Sequence, residues 1–120
     1  MSLIQTEDHD GGVRVLRLDN GKPNALSTAL LTELLAALEV AEAESASVIL
    51  TGREGMFSAG FDLGTMGEGA AAAAEMVKNG GRLALAVHHH PKPIVAAVGG
   101  HAVAMGLFLA MVCDLSLIHI

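Results

Sequence analysis

The stretch from Met56 to Leu63, MFSAGFDL, combines residue types and spacing that can do chemistry. A strand-like run, SVILTG, ends at Gly52, and the chain then passes through three small residues, Ser58-Ala59-Gly60, before Phe61-Asp62-Leu63. Small residues let a backbone come close to a ligand. A turn of this kind beyond a buried strand can aim peptide N–H groups outward, where they hold a carbonyl oxygen that becomes negatively charged during reaction. The same three residues also fit an ordinary tight loop, and both readings stand on this segment alone.

Other candidates are weaker. His88-His89-His90 invites a metal reading, but three consecutive residues at a helix end point in different directions, and no Asp, Glu or Cys joins them at ligand spacing; no metal site is assigned. His101 is a titratable group next to the second Gly-rich stretch, with backbone bonding as its simpler role. Ser58 has no visible Asp partner for a nucleophilic triad. Gly60, Gly64 and Gly67 lack the Gly-Lys-Ser/Thr and dinucleotide signatures of a nucleotide loop. Lys22 suits a solvated turn.

The elements that must position this segment follow from periodicity. Val13 to Asp19, VRVLRLD, has nearly the period-two pattern of a half-buried strand, ended by a turn at Asp19-Asn20-Gly21 and Pro23. Ser27 suits an N-cap, its hydroxyl accepting from a first-turn N–H. From Thr28 to about Glu44, Leu30, Leu31, Leu34, Leu35, Leu38 and Ala41 recur at three- and four-residue steps, which predicts an amphipathic helix. Val48-Ile49-Leu50 and Ile94 to Val98 read as buried strands. Gly64, Gly67 and Gly69 predict a flexible connection. Ala70 to Val87 favours helix, with Asn79-Gly80-Gly81 expected to weaken or kink it, and Pro91 and Pro93 stopping it. A last helix is expected from Val103 to Cys113, opening near Ala104-Met105-Gly106. The order of elements is α/β, and by itself suggests a doubly wound sheet.

Composition narrows the classes. The 120 residues are enough for one domain with an aliphatic core, since Trp and Tyr are absent and Phe occurs three times. A net charge of −6 without a basic cluster disfavours nucleic acid. The single cysteine, Cys113, forms no internal disulfide, which fits a reducing, cytoplasmic compartment. The start, MSLIQTEDHDGG, lacks the basic and apolar segments of a secretory signal. The apolar run Ala102 to Cys113 is shorter than the roughly 20 residues a bilayer span needs, so no membrane association is expected.

Three blocks carry a resemblance. TGREGMFSAGFDL resembles the first signature of the crotonase superfamily, the enoyl-CoA hydratase/isomerase family; PKPIVAAVGGHAVAMGLFLAMVCDL, Pro91 to Leu115, resembles the second; and GKPNALSTALLTELLAAL, Gly21 to Leu38, resembles a segment in which members carry N-A-L or N-A-M before a helix. They lie in the family's order and span most of Val13 to Leu115. The resemblance implies the crotonase fold, a superhelix of β-β-α units, in place of the doubly wound sheet. Family subunits are roughly twice this length, so residues 1–120 would be the N-terminal part of a single crotonase-like domain, truncated before its C-terminal helical part. LSLIHI, residues 115–120, departs from the family's usual continuation. It reads either as a short apolar strand or as a foreign tail, since it resembles the translated read-through of a sequencing adapter.

What the resemblance implies for chemistry is specific. Backbone N–H groups of Phe61 and of Met105, the middle position of a family G-G-G that here reads Ala104-Met105-Gly106, would bind the thioester oxygen of an acyl-CoA. Lys22, Ala25, Leu26, Ala59, Asp62, Leu63 and Gly106 match positions that hold coenzyme A, which is part of the substrate; no separate cofactor is implied. Hydratases of the family carry a catalytic glutamate where this chain has Phe108, and no acidic residue lies between Pro91 and Cys113. This shifts weight from hydration towards isomerase, hydrolase or another branch, or towards non-catalytic acyl-CoA binding. Asp114 matches a structural position. A homotrimer or hexamer is implied for the full-length protein.

Overall fold

The computed structural model describes residues 2–118. Two strands, β1 (Ile4–His9) and β2 (Val13–Leu18), form an antiparallel hairpin, and α1 (Thr28–Glu44) follows. Strands β3 (Ser47–Thr51) and β4 (Gly55–Ser58) lead into a short α2 (Leu63–Met66) and a long α3 (Ala70–His88). The pattern repeats with β5 (Ile94–Val98), β6 (Gly100–Ala102) and α4 (Met105–Val112), and β7 (Leu115–Ile118) follows. Two successive β-β-α units are therefore visible, β3-β4-α2/α3 and β5-β6-α4.

The first strand of each unit enters a five-stranded sheet ordered β1-β2-β3-β5-β7, and the second pairs in a separate sheet, β4-β6. This is not doubly wound. Register runs straight across the main sheet: Leu16 lies beside Leu50, Leu50 beside Ala96 and Ala96 beside Ser116. Because side chains alternate along strands, one face carries Leu16, Leu18, Val48, Leu50, Ile94, Ala96 and Val98, all buried. These join Leu30, Leu31, Leu34 and Leu38 of α1, Met76, Leu83 and Val87 of α3 and Leu109 of α4 in one core. The other face carries Val15, Ile49, Val95 and Leu115, and exposure grows towards β7, where Leu115 and Leu117 are open.

Ser27 caps α1 as its type suggests, Oγ accepting from Leu30 N–H at 3.2 Å. Glu33 on the same helix holds the N-terminal strand, its carboxylate accepting from Leu3 N–H at 2.9 Å and Ile4 N–H at 3.2 Å, with the Ser2 hydroxyl as a further donor. These bonds, the Ser2 hydroxyl foremost, keep its pKa below the usual glutamate value. Arg14 is buried between Asp8, at 2.7 Å, and Glu44, at 3.2 Å, tying the hairpin to the end of α1.

One strand was not anticipated, and two expectations are corrected. The polar segment IQTEDH forms β1, stabilised by pairing with β2. The glycine-rich connection contains α2, started by Asp62, whose carboxylate accepts from Thr65 N–H at 3.1 Å and Thr65 Oγ1 at 2.8 Å. Helix α3 runs through Asn79-Gly80-Gly81 without interruption. The last helix opens at Met105, within the expected Ala104-Met105-Gly106 start, because Ala104 has φ 52° and ψ −124°, outside helical space. Leu115–Ile118, for which strand and foreign tail both stood open, pairs in parallel with β5; His119 and Ile120 lie outside the described residues.

Candidate functional site

The two motif blocks meet at Gly60. Its φ of +97° places it in the left-handed region, and a Cβ there would sit 3.1 Å from Val103 O, 3.2 Å from Ala104 Cβ and 3.2 Å from Met105 N. A side chain at this position would crowd the head of α4, so glycine allows the Ser58-Ala59-Gly60 turn and the helix start to touch. Gly106 does the same from the other side: a Cβ there would fall 2.3 Å from Ser58 O. Val103 N–H donates to Ser58 O at 3.0 Å and closes the junction.

The first block is stitched to the same turn. Leu26 N–H donates to Gly60 O at 2.8 Å, Asp62 N–H to Leu26 O at 3.2 Å and Ala59 N–H to Pro23 O at 3.3 Å. In this parallel bridge Leu26 faces Phe61, and the Phe61 N–H points away from it. Asn24, fully buried with φ 60°, organises the junction. Its Nδ2 donates to Leu18 O at 3.0 Å and Phe57 O at 2.9 Å, its Oδ1 accepts from Asn20 N–H at 2.7 Å, and its carbonyl accepts from Ser58 Oγ at 2.9 Å. Ser58 Oγ in turn accepts from Gly60 N–H at 3.1 Å. Ser58 is thus fully used in fixing the turn.

The consequence is a pair of backbone donors. Among the described residues, neither Phe61 N–H nor Met105 N–H has an acceptor, although each lies next to the Gly60 contact. Met105 opens α4, so its N–H is one of the orphan donors of a helix start, where the dipole favours negative charge. Gly106, Leu107 and Phe108 N–H, by contrast, bond back to Val103 O, Ala104 O and Ala104 O. Two donors beside a tight turn suit a carbonyl oxygen that gains charge.

The chain belongs to the enoyl-CoA hydratase/isomerase family. The family's profile, described as enoyl-CoA hydratase/isomerase, matches residues 8–119. A putative enoyl-CoA hydratase from Thermus thermophilus is 41% identical, covering 94% of this chain and 47% of the relative. Enoyl-CoA delta isomerase 1, mitochondrial, from mouse is 40% identical, over 93% of this chain and 40% of its own length. A crystal structure of an enoyl-CoA hydratase/isomerase family protein from Pseudomonas syringae superposes with a TM-score of 0.91 at 43% identity, covering 95% of this chain and 49% of that one. The fold is that of the crotonase superfamily, and the chain spans about half the length of these relatives or less.

Within this enoyl-CoA hydratase/isomerase framework the remaining predicted positions fall as follows. Ala25 and Leu26 are buried beside the turn, whereas Lys22 is exposed on the preceding loop and Leu63 is 83% exposed at the start of α2. The Asp62 carboxylate is engaged as the α2 cap. Met105 directs its side chain towards α3, its Cε lying 3.5 Å from where a Gly80 Cβ would be, so its bulk packs between helices. Phe108 is exposed on α4. Asp114 joins α4 to β5, its Oδ2 accepting from Ile94 N–H at 2.8 Å. Cys113 is buried, and burial with the Asp114 charge pushes its pKa up to about 12, which makes the thiol inert. His90 is structural: its ring bonds Leu38 O at 2.8 Å and accepts from Lys92 N–H at 3.1 Å. No group of three metal-ligating side chains occurs among the described residues, and no helix there is long and apolar enough to cross a membrane. Sequence reasoning missed Asn24 as an organising side chain; its place in the N-A-L segment was the available signal.

Proposed function

We propose that this chain binds an acyl-CoA thioester and stabilises its enolate, with the Phe61 and Met105 N–H groups as an oxyanion hole. The observation that carries this reading is the pair of acceptor-free donors on either side of the Gly60 contact, in a chain whose relatives are named as enoyl-CoA hydratases and an isomerase. As negative charge moves onto the thioester oxygen the two hydrogen bonds strengthen, and one such donor is worth about 2.7–4 kcal/mol in the transition state. Ala59 and Leu63 line the approach for the coenzyme A part of the substrate, Ala25 and Leu26 support that wall from beneath, and exposed Lys22 is the candidate for a phosphate contact. Coenzyme A arrives with the substrate and no further cofactor is invoked. Assembly of the full-length protein into a homotrimer or hexamer, and a cytoplasmic setting consistent with the buried free Cys113, belong to the same proposal.

Phe108 favours a second reading, acyl-CoA binding without turnover, because a phenyl ring moves no proton and stands where family hydratases carry glutamate. Calorimetric titration with crotonyl-CoA, paired with a turnover assay over a panel of enoyl-CoA thioesters, separates the two. Binding with isomerisation or hydration supports the catalytic reading, binding alone supports the second, and no affinity for any acyl-CoA overturns both.

A further inference from the structure

We infer that Gly80, in the middle of α3, is a positioning residue for the two backbone donors, acting through the side chains of Phe61 and Met105; this rests on the oxyanion-hole reading above. A Cβ on Gly80 would lie 2.5 Å from Phe61 Cζ, 2.6 Å from Phe61 Cε1 and 3.5 Å from Met105 Cε. The side chains of the same two residues whose N–H groups lack acceptors therefore converge on one point of α3. Both are partly buried against the core there. Phe61 leaves the turn with its ring seated on the bare backbone of Gly80, a second anchor, beside the Leu26 N–H bond to Gly60 O, on the 60–61 peptide and so on the direction of its N–H. Met105 fills the adjoining space and holds the first residue of α4.

The neighbouring glycine provides the contrast. A Cβ on Gly81 would meet nothing within 4 Å, so the seat is specific to Gly80. An added methyl at Gly80 would force the ring to retreat by about 1 Å to reach ordinary carbon–carbon contact at roughly 3.5 Å. A displacement of that size in a positioning contact can cost up to about a hundredfold in rate, and about tenfold is expected in thioester affinity.

The test compares Gly80→Ala with Gly81→Ala in the same chain. Both replace glycine by a better helix former, so a purely helical effect moves both alike. Calorimetry with crotonyl-CoA and with free coenzyme A, which has no acyl carbonyl, gives the thioester preference. Gly81→Ala is expected to match the parent, whereas Gly80→Ala loses about tenfold for crotonyl-CoA with its affinity for free coenzyme A unchanged. Full retention of the preference in Gly80→Ala overturns the inference. If the parent itself shows no preference, the hole reading fails; positioning is then decided by the Phe61 and Met105 amide resonances, which must shift in Gly80→Ala and hold still in Gly81→Ala. If Gly80→Ala does not fold, Phe61→Leu decides: it keeps the N–H but vacates the seat, and unchanged thioester preference in it refutes the role.

Discussion

Replacing Ala104 by glycine should stabilise the fold, against the usual direction of that substitution. Ala104 is one of two non-glycine residues with positive φ among the described residues, and its ψ of −124° takes it out of the left-handed helical well as well. Holding a residue with a Cβ in such a region costs on the order of 1–3 kcal/mol. Ala104 is exposed as a residue, so trimming its methyl forfeits little burial. The opposing contribution is the larger conformational freedom of glycine in the unfolded chain, about 0.4–1 kcal/mol. The balance favours Ala104→Gly by about 1 kcal/mol, a rise of about 4 °C in Tm for a domain of this size. Urea denaturation followed by far-UV circular dichroism measures it, with an unchanged m-value as the sign that stability has changed and the compactness of the two states has not. Ala74→Gly in exposed helical α3 is the control and should lose about 1 kcal/mol. If both variants are destabilised alike, no strain is stored at the head of α4 and the account of why that helix starts at Met105 is wrong.

Further outcomes are expected elsewhere. Gly60→Ala meets Val103 O, Ala104 Cβ and Met105 N at 3.1–3.2 Å with φ +97°, and should lose about 1–3 kcal/mol of stability together with any preference for crotonyl-CoA over free coenzyme A; a neutral result in both assays would count against the close junction. Asn24→Ala leaves the buried Leu18 and Phe57 carbonyls without their donor, at about 1–3 kcal/mol per unpaired group, so a urea-derived loss below about 1 kcal/mol would show that the network is dispensable. Glu33 has a lowered pKa in the fold, so its contribution is complete above the ordinary glutamate value near about 4.3 and is lost as pH falls through the lower folded value. Glu33→Gln should therefore lower the urea midpoint at neutral pH, with the gap closing on acidification; a gap that is flat with pH would rule out the ionised latch.

Much of this was legible in the chain because the signals were local. Ser27 and the leucine spacing of α1 describe a cap and a buried stripe that need no distant partner. Ile94 to Val98 and the Gly60 turn were readable for the same reason. The polar residues of β1 have no strand signal of their own, and only the register with β2 makes them one. Strands β4 and β6 are too short for periodicity to register. Gly80 was legible only as a weak point in a helix, since a space left for another residue's ring has no signature in the residue that leaves it. Asn24 shows the converse: its buried amide is recognisable once the carbonyls it serves are brought around it.

The order of the main sheet also has a temporal side. Reading across it, β1, β2, β3, β5 and β7 stand in the sequence in which a ribosome makes them, with β4 and β6 diverted to the second sheet. Only the β1–β2 hairpin is local; every later pairing joins segments separated by a helix. Each emerging strand thus finds its neighbour already synthesised, and none must wait for a later strand to be inserted between two earlier ones. The sheet can grow by addition at one rim, in step with elongation, and the slow non-local pairings that loop closure penalises are met one at a time during synthesis.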